Sequence, residues 1–218
     1  MFKWFRGSAG LDEVEQVFVG MLADDARLFE LASRARLGDE DVDALQCELL
    51  PIEEQTDEAE RRIRRLILVH ASVHGGGDIA ACLMYMSIIK DAERVGDLAR
   101  NLFGIARDAA ALPDVLRDEI TELYGQVGPM IGQAAEIFVA DDTAAAYDFI
   151  ERARALQARF RTAIDALVTE TSAAPQPAAT VLTYRHLGRI VANLVNIVSS
   201  VTMPLDQLDY PRPDRDTH

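Results

Sequence analysis

The sequence is poor in several residue types, and each shortage excludes a class of protein. Aromatic residues make up 6% of the 218 residues, so the core must be mainly aliphatic and alanine-rich, which favours helices over a β-sandwich. The two cysteines, Cys47 and Cys82, show no CxxC spacing, so we expect two buried free thiols rather than a disulfide or a thiolate metal site. No apolar run reaches the roughly 18–20 residues that a membrane-spanning helix needs.

Basic residues are also scarce. The chain has 22 Lys and Arg against 36 Asp and Glu, a net charge of −14. Such a surface repels nucleic acid and anionic lipid, so we expect no nucleic-acid partner; it suits a cation or a basic protein. Residues 1–8, MFKWFRGS, lack the apolar stretch of a secretory signal. They predict either an arm packed on the body or a peripheral contact with a membrane.

Apolar residues recur at spacings of three and four along nearly the whole chain, which predicts helices and no strands. Glycine, proline and aspartate clusters divide this pattern into helical segments. We expect them at about 11–36, 40–73, 78–110, 114–139, 142–170 and 179–203. Asp39 and Asp141 are the candidate N-caps of the second and fifth segments. The triple glycine Gly75–Gly77 predicts a tight turn, and the tail at residues 211–218 is expected to be disordered.

The last three segments resemble the first three, as in an internal repeat. The third segment contains ERVGDLARNL (Glu93 to Leu102) and the sixth GRIVANLVNI (Gly188 to Ile197), and their apolar and asparagine positions coincide. The second and fifth segments also pair at a similar spacing. We therefore predict an all-α protein of two tandem three-helix bundles, residues 1–110 and residues 111–218.

Four acidic residues are the candidate site. On the third segment Glu93 and Asp97 lie four residues apart, which puts them on one face, opposite the apolar stripe that contains Val95. On the second segment Glu53 and Asp57 repeat this spacing. Folding the two segments back through the glycine turn brings both pairs to a similar height. Four converging carboxylates would repel each other unless they bind hard or borderline cations, with Mg²⁺, Mn²⁺, Ca²⁺ or iron favoured over zinc.

The simpler alternative for these acids is ion pairing on an acidic helical adaptor that binds no metal. Arg94 and Arg100 lie beside Glu93 and Asp97 and are the candidate partners. A carboxylate-bridged metalloenzyme is a third reading, but no nucleophile, buried histidine ligand or phosphate-binding loop accompanies the acids. We therefore expect a protein that is not an enzyme and has no catalytic residues.

The third segment resembles the signature helix of the PhoU proteins, regulators of bacterial phosphate uptake. Their pattern is Glu-Arg-Ile-Gly-Asp with an asparagine four residues later, and the matching residues here are Glu93, Arg94, Gly96, Asp97 and Asn101. Val95 is a mild variant. The pair Glu53 and Asp57 matches the partner pattern on the preceding helix, and the two tandem bundles agree with the family's fold.

The resemblance implies a surface cluster of metal ions, iron in some relatives, held by Glu53, Asp57, Glu93 and Asp97. It implies a cytoplasmic regulator that contacts a phosphate transporter, through its ATPase or permease, and a sensor histidine kinase, and that dampens phosphate-starvation signalling. Similar bundles are accessory subunits of phosphate permeases, which is the alternative function. Association into a homodimer and peripheral attachment to the inner membrane through residues 1–8 are further expectations.

The second half departs from the family pattern. Gly188 and Ala192 occupy the Glu and Asp positions of the sixth segment, and the fifth offers Glu151 but Ala155. Three of four carboxylates are therefore replaced, and we predict a degenerate site without a second cluster. This departure is also what a divergent paralogue of the main regulator would show. Gly188 inside a helix costs up to about 1 kcal/mol relative to alanine, which suggests that another group approaches it closely.

Overall fold

The computed structural model describes residues 9–38, 40–169, 176–205 and 208. Within these residues the chain forms helices and no strand, which confirms the predicted all-α architecture. The six α-helices are α1 Ala9–Leu37, α2 Val42–His74, α3 Ile79–Asp108, α4 Asp114–Ala140, α5 Thr143–Thr169 and α6 Pro177–Thr202. A short 3₁₀ turn, Gly75–Asp78, joins α2 to α3, as the triple glycine predicted.

The start of α5 differs from the predicted capping. The prediction for Asp141 is wrong: it ends α4 with a left-handed backbone, φ 51°. The next residue, Asp142, accepts a hydrogen bond from the Ala145 N–H at 3.0 Å and therefore caps α5. Asp39 lies outside the described residues, as do residues 1–8 and the tail at 211–218. Before α2, Asp41 accepts a hydrogen bond from the Asp43 N–H at 3.1 Å.

The helices pack around one continuous core. α1 packs on both α2 and α3, and α5 packs mainly on α6. The two halves meet through α3 on α6 and α1 on α4, so these four helices are central and α2 and α5 are peripheral. Phe18 of α1, Tyr85 of α3 and Phe138 of α4 pack edge to face or tilted against one another at the junction, with centroid separations of 5.1 to 6.4 Å. The division into two domains at residue 110 stays a prediction.

Two further expectations concern the cysteines and the membrane. Both cysteines are free, but only Cys82 is buried, and Cys47 is exposed. The expectation of two buried thiols is therefore wrong for Cys47, which lies on the solvent side of α2, the helix that covers the outside of the first half.

Across the described ranges no helix combines the length and apolarity needed to cross a bilayer.

Candidate functional site

The four predicted acids line one narrow cleft between α2 and α3. The lining residues are Leu28, Glu53, Thr56, Asp57, Glu93, Gly96, Asp97 and Arg100. Glu53 and Glu93 are partly buried, with side chains 29% and 26% exposed, whereas Asp57 and Asp97 are at least half exposed. The structure thus brings together the residues that the sequence analysis selected.

The apolar faces of the two helices set this arrangement. On α3, Ala92, Val95 and Ala99 are fully buried, as the predicted stripe requires. On α2, Ile52 and Ile63 are buried. The acids lie at the flanks of these two stripes and therefore face each other where α2 packs against α3. Thr56 is buried on the floor of the cleft, and its hydroxyl donates to the Ile52 carbonyl at 3.1 Å.

Cationic side chains neutralise part of this negative charge. Arg100 bridges the two helices, with one nitrogen 2.9 Å from Glu53 Oε1 and the other 3.0 Å from Asp97 Oδ1. Lys90 bridges Glu93, at 3.2 Å, and Glu60, at 3.1 Å. The ion pairing expected for Arg100 is therefore confirmed. Arg94 instead lies 3.7 Å from the carboxylate of Asp91, a neighbour on α3.

This pairing keeps the carboxylates apart. Among the described residues no group of three or more His, Cys, Asp or Glu side chains converges as metal ligands do. Arg100 is 46% exposed, so its ion pairs are surface pairs worth about 0–1 kcal/mol and are readily exchanged for another cation. The donors are all oxygens, which suits hard cations once Arg100 moves away.

A fifth acidic residue, Asp25 of α1, lies beneath this cleft and was missed by the sequence analysis. It is 0% exposed, and neither carboxylate oxygen has a hydrogen-bond partner among the described residues. Burial raises the pKa of Asp25 well above its usual range, and the negative charges of Asp24, Asp97 and Glu93 raise it further. A buried carboxyl group therefore lies behind the wall of the acidic cleft, against Gly96.

Gly96 makes room for this carboxyl group. A Cβ atom at position 96 would lie 2.6 Å from Oδ1 of Asp25, far closer than an ordinary contact. Any larger residue would have to displace Asp25. Gly96 therefore has a steric role: it lets α1 direct a carboxyl group at the α3 backbone between Glu93 and Asp97.

One sequence signal could have identified Asp25. It lies in the core-facing stripe of α1 with Met21, Leu22, Leu28 and Phe29, at spacings of three and four, where an aliphatic residue is expected. An aspartate at such a position is rarely fully buried without a partner or a function.

A wider groove of about 700 Å³ adjoins the cleft, and Glu53 and Arg100 line both. Its apolar wall includes Leu50, Phe103 and Leu182, contributed by α2, α3 and α6. His186 also lines it; burial lowers the pKa of His186, and the neighbouring Arg189 and Arg185 lower it further.

The corresponding region of the second half has a different chemistry. Gly188 lies against α5: a Cβ there would be 3.3 Å from Phe160, which confirms the expected close approach. A groove of about 530 Å³ between α4 and α5 is lined by Ala155, Arg152 and Arg159 among others. The absence of a second metal cluster stays a prediction.

The comparisons with known proteins bear on the fold. No protein-family model and no curated protein matches the sequence. Among solved structures, the crystal structure of PhoU from Pseudomonas aeruginosa is similar, with a TM-score of 0.75 and 21% sequence identity. The match covers 92% of this chain and 97% of that chain. The chain therefore has a PhoU-like fold, which confirms the resemblance seen in the sequence at the level of architecture.

Proposed function

We propose that this protein is a metal-binding regulator of phosphate uptake that acts through protein contacts and not as an enzyme. The observation that carries the proposal is the arrangement of Glu53, Asp57, Glu93 and Asp97 on one cleft of a PhoU-like fold. A phosphate transporter and a sensor histidine kinase are the proposed partners, and the cytoplasm is the proposed location. The PhoU-like fold supports the general role in phosphate-transport regulation. The bound metal and the named partners are proposed in addition to that role.

The four acids would hold the cation, and iron, manganese, magnesium, calcium or zinc are candidates. The carboxyl group of Asp25 fits this assignment because it has no hydrogen-bond partner among the described residues, and Gly96 leaves the space that this group occupies. A bound cation would neutralise the cleft and hold α2 and α3 together at this point. Arg100 would then be released from Glu53 and Asp97 toward the adjoining groove, which it also lines.

The non-enzymatic assignment is supported by the composition of the cleft. None of its lining residues is a histidine, cysteine or serine, and the hydroxyl of Thr56 already donates to a backbone carbonyl. The cleft therefore offers carboxylates and a guanidinium but no side chain poised as a nucleophile.

The metal part of the proposal is tested by elemental analysis of protein purified without chelators. We expect Glu93→Ala/Asp97→Ala to lose the bound metal and keep its helical circular dichroism, because both side chains lie outside the buried stripe. Asp114→Ala/Asp118→Ala, an acidic pair of the same spacing on α4, is the matched control and should retain the metal. Unfolding of the first variant would show instead that these acids are structural.

The regulatory part needs a separate experiment in the source organism. Deleting the gene should raise a phosphate-starvation reporter in phosphate-rich medium, and the wild-type gene should restore repression. The Glu93→Ala/Asp97→Ala gene should fail to do so while the control pair succeeds. A reporter unaffected by the deletion would refute the regulatory role even if the purified protein binds metal.

The exposed end of the α2–α3 hairpin favours a second candidate, an accessory subunit of a phosphate permease. Large apolar residues flank the turn and are each more than half exposed; this apolar tip consists of Leu68, Val69, Val73, Ile79 and Leu83. Asp78 is the single Asp, Glu, Lys or Arg between residues 66 and 89, and it is paired with His70 at 2.9 Å. Such a surface suits burial against a partner, here a membrane-embedded permease.

Membrane fractionation of cells that contain the permease tests this candidate. Leu68→Gln/Val73→Gln should move the protein from the membrane fraction to the supernatant. The control Val115→Gln/Val168→Gln changes two equally exposed valines away from the apolar tip and should leave the distribution unchanged. Equal distributions for the two variants, or a wild-type protein found wholly in the supernatant, would count against the permease subunit.

A further inference from the structure

The carboxyl group of Asp25 has no hydrogen-bond partner among the described residues. A buried carboxylate without a partner costs several kcal/mol. A proton on Asp25 would remove the charge but create an O–H donor that needs an acceptor of its own. Protonation therefore replaces a buried charge by a buried donor and does not itself supply a partner.

The nearby cationic side chains do not fill this role. Arg100 is held by Glu53 and Asp97, and Lys90 by Glu93 and Glu60, all at the outer side of the cleft. Asp24, the neighbour of Asp25, lies 3.4 Å from Arg27, which is largely exposed. The charges that act on Asp25 most strongly are themselves negative, namely Asp24, Asp97 and Glu93.

The chain nevertheless preserves the space that this carboxylate occupies. Gly96 is buried in the middle of α3, where glycine costs about 1 kcal/mol relative to alanine. An alanine there would place its Cβ 2.6 Å from Asp25 Oδ1. The glycine therefore lowers the stability of α3 at a position where a methyl group would push this carboxyl group away from the cleft.

We infer that Asp25 is a fifth ligand of the cation, contributed by α1 from the buried side of the cleft. The inference rests on the proposed function, since it needs a cation held by the four outer acids. It explains why an unpartnered aspartate occupies a core position and why a glycine faces it. With this ligand the site is built from α1, α2 and α3, so the affinity for the cation depends on how α1 packs on α3.

The test is calorimetric titration of the chelator-treated full chain with Mn²⁺. Asp25→Asn should weaken Mn²⁺ binding at least about tenfold, because a neutral amide replaces a carboxylate ligand and the loss of even an outer-shell partner typically costs about 10–100-fold. Asp24→Asn makes the same change in charge at the adjacent residue and should weaken binding by less than about threefold, the effect of charge alone. Without metal, Asp25→Asn should melt at the same or a higher temperature than the wild type, because the lost carboxylate had no partner.

The outcomes separate the two proposals. A wild-type chain that binds no Mn²⁺ refutes the proposed metal site and the inference with it. A wild type that binds while Asp25→Asn binds equally well, or loses no more affinity than Asp24→Asn, refutes the inference alone. If Asp25→Asn does not fold, Gly96→Ala takes its place: it crowds Asp25 Oδ1 without changing any charge. Mn²⁺ affinity equal to the wild type in that variant would overturn the inference.

Discussion

The contact between Gly96 and Asp25 yields a quantitative prediction about stability. In Gly96→Ala the new methyl group would lie 2.6 Å from Asp25 Oδ1. Overpacking of this kind in a buried site costs about 1–3 kcal/mol. The same substitution gains about 1 kcal/mol from the higher helix propensity of alanine. The net expectation in the wild-type background is a loss of about 1 kcal/mol in the free energy of unfolding.

Removing the aspartate side chain should reverse the sign. In an Asp25→Ala background the crowding atom is absent, so Gly96→Ala keeps only its gain of about 1 kcal/mol. The two substitutions are therefore expected to couple by about 2 kcal/mol, well above the 0.3–0.5 kcal/mol within which independent sites add.

The assay is urea denaturation of the wild type, the two single variants and the double variant, without metal and at one pH. The cycle isolates the Asp25–Gly96 contact, because effects of each substitution on the unfolded chain cancel. If Gly96→Ala changes the free energy of unfolding equally in both backgrounds, the carboxyl group does not face Gly96 and the buried part of the site is wrongly described.

Three further predictions follow from other contacts. Arg100→Gln should raise Mn²⁺ affinity up to about fivefold, because the surface ion pairs of Arg100, worth about 0–1 kcal/mol, no longer compete with the cation. Isothermal titration measures the affinity, and unchanged or weaker binding would contradict the bridging role of Arg100. His186 has a lowered pKa, so its neutral form is favoured on folding, and stability should fall as pH decreases below 6.5; His186→Gln should flatten that part of a pH–melting curve. Phe138→Ala should cost about 3–5 kcal/mol and lower a single calorimetric transition, whereas a shift of only one of two transitions would show independent halves.

The architecture could be predicted from the sequence because it depends on local patterns. Apolar spacing and helix-breaking residues gave all six helices within a few residues of their observed ends. The N-cap residue of a helix is harder to predict from the sequence where two aspartates are adjacent. Asp141 and Asp142 both suit an N-cap, and the left-handed ending of α4 at Asp141 decides between them. The exposure of Cys47 likewise depends on which face of α2 other helices leave uncovered. The spacing of apolar residues along α2 did not identify that face.

The outer part of the site was predictable for a similar reason. Glu53, Asp57, Glu93 and Asp97 sit at helical spacing on two helices joined by a tight turn, so their meeting follows from local geometry. Asp25 is distant in sequence and reaches the cleft only because α1 packs across α3. That packing is a property of the assembled core, and its trace in the sequence is limited to one charged residue in an apolar stripe.

Cation binding between α2 and α3 underlies both the proposed function and the role of Asp25. The most direct measurement is an anomalous difference map from crystals of the wild-type chain equilibrated with Mn²⁺. We predict a peak enclosed by the carboxylates of Glu53, Asp57, Glu93 and Asp97, with the Arg100 guanidinium turned out of the cleft. A map without a peak there, with Arg100 still bridging Glu53 and Asp97, would contradict the account.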